Sequence, residues 1–159
     1  MDILDRMLAH DRWATRQYLE MCRDLPDEQL DQEFDIGHRT LRATLDHMTY
    51  VVGFWRRLMV GEPHAAPRGE LSVAALAARH ERNYDGFEAL ARRLAEEDRL
   101  DEIFSDHYDY PQSFGATIPQ VCYHNAIHRS DLRHMLVRLG LDIRGDYDPQ
   151  EWEHHTGVI

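Results

Sequence analysis

His124 and His128 stand four residues apart in the segment HNAIH, and on a helix that spacing puts two imidazoles on one face, roughly 6 Å apart along the axis. One metal ion can bridge such a separation. The device is that of the zincin helix, but the glutamate of HExxH is missing, so the general base of a zinc protease is absent and that activity is not supported. A pair at this spacing also has a plain reading as two core histidines, each hydrogen-bonded to a polar neighbour. Burial favours the metal. His128 falls within an apolar stripe with His124 beside it, and two buried imidazoles need partners that the centre of an apolar bundle supplies poorly. A mononuclear site needs at least one further protein ligand. His47 and His80 lie on other buried helical stripes, His10 near the wet side of a first helix and His38 near a helix start. Periodicity leaves the choice between His47 and His80 open.

The remaining histidines, of eleven in all, have simpler expectations. His64, His154 and His155 fall in loop or tail and should be solvated, and His107 lies in a segment whose structure the pattern does not settle. His134 follows His128 by six residues, which turns it away from that face. The two cysteines, Cys22 and Cys122, sit in helical patterns without CxxC spacing and read as reduced core thiols, so a metal would be held by nitrogen and oxygen.

The elements that must carry these residues are helices. From Asp2 to about Arg23, Leu4, Met7, Ala14, Tyr18 and Met21 recur at three- and four-residue steps, opposite Asp5, Arg6, Arg12 and Arg16. Pro26 to Gly37 is acidic and turn-rich. Leu41 to Val60 is apolar on nearly two faces and predicts a mostly buried helix carrying His47. Gly61, Pro63, Pro67 and Gly69 mark a loop before a third helix from about Ser72, which ends in the charged run Glu96 to Arg99. Asp101 to Ala116 reads as a short hairpin or an ordered loop. Thr117 and Gln120 at capping-box spacing, with Pro119 in the first turn, predict the start of a fourth helix that Gly140 stops. Asp148 before Pro149 predicts a short final helix through Trp152, with Thr156 to Ile159 as a tail. The expectation is one all-α domain over residues 1–159.

Composition narrows the function. A net charge of -11 with no Lys/Arg tract opposes direct binding to nucleic acid or to an anionic membrane surface. Arginine pairs such as Arg56-Arg57 and Arg92-Arg93 read as solvated, salt-bridged helix faces. No stretch of eighteen apolar residues occurs, and the charged start MDILDRMLAHDRW lacks the apolar run of a signal peptide, so the expected location is the cytoplasm.

Three segments together resemble the DinB (damage-inducible) family, also called DinB/YfiT-like metalloenzymes, over nearly the whole chain. They are His10-Asp11-Arg12-Trp13-Ala14-Thr15 in the first helix, Leu45-Asp46-His47-Met48 with Trp55 in the second, and His124-Asn125-Ala126-Ile127-His128-Arg129 in the fourth. The resemblance implies a four-helix bundle holding one divalent ion, zinc or nickel, through His47, His124 and His128, with remaining positions left to water or substrate. It also leaves room for a homodimer. The chain departs from the family where Arg129-Ser130-Asp131 follows the last histidine, at Asp11, where asparagine is common, and at Val51 and Val52, where several relatives place an acidic residue.

Some proteins of that fold are thiol-dependent transferases or isomerases that use low-molecular-weight thiols, and a metal with open coordination can lower the pKa of a bound thiol. A small-molecule substrate and a thiol co-substrate are therefore implied. Metal-assisted hydrolysis is the second reading, with Asp46, Asp131, Tyr50 and Tyr123 as candidates to handle the proton. A non-catalytic, stress-associated metal protein is the third. An open coordination position facing a polar pocket would separate the first two from the last.

Overall fold

The computed structural model describes residues 1–159. Its elements run α1 (Ile3–Cys22), α2 (Asp27–Leu30), α3 (Leu41–Met59), α4 (Val73–Glu96), β1 (Ile103–Ser105), β2 (Pro111–Ser113), α5 (Phe114–Arg138) and α6 (Pro149–Thr156). The four long helices form the all-α bundle that the apolar periodicity requires. Helix α1 packs on α4 and α5, and α3 packs on the same two, so α1 and α3 occupy opposite corners. Local signals set the helix starts: the side chains of Asp2, Thr40 and Ser72 each accept a hydrogen bond from the backbone N–H three residues on.

Two starts and stops differ from expectation. Helix α5 begins at Phe114, capped by Ser113 Oγ, which accepts from the Ala116 N–H, and not at the Thr117 capping box. The β1–β2 hairpin delivers the chain directly into that earlier turn, and Phe114 stacks on Phe104 with ring centres 5.2 Å apart. The Thr117 hydroxyl instead donates back to the Ser113 carbonyl, and Pro119 lies inside the helix, where its missing N–H leaves the Gly115 carbonyl without a helical donor. Helix α6 starts as expected at Asp148 but runs to Thr156, where Gly157 at φ 71° ends it. The stretch read as turns after Pro26 contains the single-turn helix α2.

The core is in two apolar parts with a polar layer between them. Leu41, Leu45, Met48 and Leu76 belong to one part with Tyr18, Leu132 and Met135, whereas Leu8, Val52, Phe87, Ile118 and Val121 belong to the other. Between them each long helix places buried polar side chains: Asp11 and Thr15 on α1, Thr49 on α3, Arg79 and His80 on α4, Asn125 and Arg129 on α5. Burying such groups is tolerated only when they are hydrogen-bonded, and their positions define the level at which the histidines lie. No helix is long and apolar enough to cross a membrane.

Candidate metal centre

Helices α3 and α5 bring His47 against His124 and His128. The Nε2 atom of His124 lies 2.9 Å from Nε2 of His47 and 3.1 Å from Nε2 of His128. All three rings are half-buried. His80, the alternative that periodicity left open, is elsewhere: its ring packs on Tyr84 and its Nε2 atom lies 3.0 Å from the Arg12 carbonyl. His10 likewise turns to the Tyr147 carbonyl, 2.9 Å away. His134 points to solvent, as its spacing predicted.

A fourth imidazole joins the group. His38 lies in the turn before α3, its ring centre 4.0 Å from that of His47 and 5.0 Å from that of His128. His38, His47 and His128 each offer a ligand atom within 4.8 Å of the others. The turn is held by backbone bonds from Phe34 N–H to the Arg39 carbonyl and from Thr40 N–H to the His38 carbonyl. In the sequence His38 shows only as a residue near a helix start. No periodic pattern could carry it further, because the direction of a turn residue is set by the packing of the buried Phe34 and not by a helical repeat.

Protons alone satisfy this cluster poorly. His128 Nδ1 faces Asp131 Oδ2 at 3.2 Å, and a proton placed there leaves Nε2 of a neutral ring as a bare lone pair. The Nε2 of His124 can then donate to only one of its two neighbours, or accept from only one. Burial, followed by the charges His38, His124 and His128 would carry, pushes His47 down to about 3. Burial and then the neighbouring His128 lower His38 and His124 as well. At neutral pH these three rings are therefore uncharged, with lone pairs available to a cation. Converging imidazoles of this kind suit a borderline divalent ion. Asp131 stands behind His128 as the kind of carboxylate that commonly fixes a metal-binding histidine. Gly37 is part of that arrangement: its φ is +49°, and a Cβ there would meet Asp131 Oδ2 at 2.6 Å.

The residues considered for proton handling are mostly occupied. Asp46 receives hydrogen bonds from both Arg68 and Arg79. Asp131 is on His128, Tyr50 accepts from the Ala66 N–H, and Tyr123 is exposed. His107 and His64, which the sequence left unplaced or solvated, both pack edge-on against Phe54, with ring centres 5.1 Å away in each case. His154 and His155 belong to the last turn of α6, where the ring of His155 lies 5.7 Å from Trp13. Cys22 and Cys122 are buried free thiols, as expected. A cavity of about 340 Å³ opens beside His47 and His124, lined also by Tyr50, Phe54, Arg68 and His107. A larger cleft of about 550 Å³, between the start of α1 and the end of α4, is lined by Asp2, Asp5, Arg92 and Glu96 and holds no histidine.

A comparison with curated proteins gives no match. The family model of the DinB superfamily matches residues 10–132, which is more than half of the chain. That span opens at His10 in α1, closes one turn beyond His128 in α5, and contains all four histidines of the cluster.

Proposed function

The chain belongs to the DinB superfamily, and we propose that it is a metal-dependent enzyme whose divalent ion is held by the Nε2 atoms of His47, His124 and His128. The observation that carries this reading is the approach of His124 Nε2 to both other Nε2 atoms, at 2.9 and 3.1 Å, with no arrangement of protons that serves every contact. The imidazole donors suit zinc, nickel, iron or copper, and the family resemblance favours zinc or nickel among them. Such an ion, when bound, supplies Lewis acidity that lowers the pKa of a thiol or a water joining it.

The protein's own residues favour the thiol. Hydrolysis needs a free base beside the site, and Asp46 and Asp131 are both engaged by other side chains. A thiol starts from a pKa of about 8.5, far below that of water, so an ion at the site would let it lose its proton to solvent at neutral pH without such a base, and thiol-dependent transfer or isomerisation of a small molecule is the reading we prefer. Here Asp131 orients His128, the cavity beside His47 and His124 receives the substrate, and the aromatic side chains of Tyr50 and Phe54 limit water.

Elemental analysis of tag-free protein beside the His128→Ala variant tests the site. About one zinc or nickel ion per chain in the parent and almost none in the variant is expected of a folded-state metal site. A parent that is empty and takes up neither ion on titration would return the histidines to the role of polar core residues.

A further inference from the structure

The cavity beside the histidine cluster carries a positive charge that its one bonded carboxylate, shared between two arginines, neutralises only in part. It is an open depression of about 340 Å³, a size suited to a small organic molecule. Tyr50 and Phe54 of α3 form its aromatic wall, and His107 of the hairpin stands edge-on to Phe54. Arg68, from the connection between α3 and α4, closes one side with its guanidinium 4.3 Å from the centre of the Tyr50 ring.

Asp46 is the one carboxylate bonded to Arg68, and it is shared. Its Oδ2 accepts from Arg68 Nη1 while its Oδ1 accepts from Arg79 Nη2. Arg79 is buried and fully engaged, donating also to Thr49 Oγ1 and to the main-chain carbonyls of Asp46 and Arg68. Two guanidinium groups against one carboxylate leave one positive charge, and the free N–H donors belong to Arg68, whose side chain is 48% exposed. The bond from Arg79 to the Arg68 carbonyl fixes the backbone that presents it. In a chain of net charge -11 this is a local inversion of sign, next to aromatic surface and within reach of the proposed ligands.

The geometry points to an organic carboxylate as the molecule this cavity takes, with its carboxylate on Arg68 and its apolar or aromatic body against Tyr50 and Phe54. Its other end then faces His47 and His124. Only that last feature rests on the metal reading above. Arg68 is thus a specificity-determining residue: it offers a planar fork to a planar anion, and a neutral isostere leaves those donors unpaired.

The test is a titration of the full chain, zinc-free and zinc-loaded, with 3-phenylpropionate and with its uncharged amide, followed by tryptophan fluorescence. The acid should bind about tenfold or more tightly than the amide in both forms, as charge-assisted hydrogen bonds to one guanidinium allow. Arg68→Gln should abolish that preference and Arg68→Lys should retain part of it, with zinc uptake unchanged in both. Equal binding of acid and amide, or a preference that survives Arg68→Gln, overturns the proposal. A preference present in the zinc-free protein, in a chain that proves unable to bind zinc, would sink the metal reading and leave the carboxylate site standing.

Discussion

Helix α5 carries two pairs of polar residues at the same four-residue spacing, His124 with His128 and Asn125 with Arg129, and their fates are opposite. One step along the chain turns a side chain by about 100°. That rotation moves the second pair from the half-open face shared with α3 into the sealed space against α1 and α4. There Arg129 donates to Asp11 and, at 3.0 Å, to Thr15 Oγ1, and the Asn125 amide donates to Asp11 Oδ2 at 2.8 Å. Tyr84 donates its hydroxyl to the same carboxylate. Asp11 is 1% exposed and its carboxylate is met by three side-chain donors, from Arg129, Asn125 and Tyr84. The histidine pair meets other histidines instead, lone pair facing lone pair. The dry network is nearly complete within the protein, whereas the half-open one leaves imidazole nitrogens that a cation could satisfy.

The strongest way to break the comparison is to open the dry network. Asp11→Ala should cost about 3–5 kcal/mol, because it strands a buried guanidinium. Urea unfolding of this variant, of Arg129→Met and of the double variant Asp11→Ala/Arg129→Met should show the double change to be milder than the sum of the two singles; strict additivity would deny the coupling. The histidine face should behave differently. His128→Ala should leave metal-free stability within about 1 kcal/mol of the parent. Yet it should remove the gain of about 2.7 kcal/mol expected of the parent at zinc one hundred times above its Kd. A thermal shift with zinc that survives in the variant would show that the ion binds elsewhere.

A subtler change sharpens the contrast. Asp131→Asn keeps the shape beside His128 but removes the carboxylate, and should weaken zinc binding about 10- to 100-fold while leaving unfolding without zinc nearly unaltered. An unchanged zinc affinity would make Asp131 a surface charge. The contrast also shows in pH. Free imidazole takes a proton near 6.5 whereas His47 in the fold resists one down to about 3, so between those values the unfolded chain holds more protons and stability rises with pH. Urea midpoints of the zinc-free protein should therefore fall as the pH is lowered from about 6.5 towards 3, and His47→Gln should flatten that decline. An identical slope in the variant would show that this ring does not govern the acid limb.

Much of the bundle is legible residue by residue. Asp2, Thr40, Ser72 and Asp148 are capping side chains in front of periodic apolar runs, and each caps the helix expected of it. The start of α5 is not, because two serine/threonine caps compete and only the hairpin leading into Phe114 decides for Ser113. Asp11 could have been found: it stands seven residues after Leu4 and seven before Tyr18, on the apolar stripe of α1, where a charged residue must have a partner. Sequence spacing could not say that the partner was Arg129.

The sequence by itself determined the four long helices and the sharing of one face by His124 and His128, since both follow from interactions within a few residues of chain. Which further histidines meet that pair was a matter for the tertiary structure. His47 and His80 are equally placed on apolar stripes, and the superfamily resemblance, not periodicity, favoured the first. The packing of α3 and α5 turns His47 inward to the pair, and the packing of α1 and α4 takes His80 to the Arg12 carbonyl. His38 depends on a turn tied down by Phe34 and pressed against Asp131, and the positive cavity depends on two arginines from separate segments sharing Asp46. Such contacts join residues far apart in the chain, and local pattern carries no information about the distance between them.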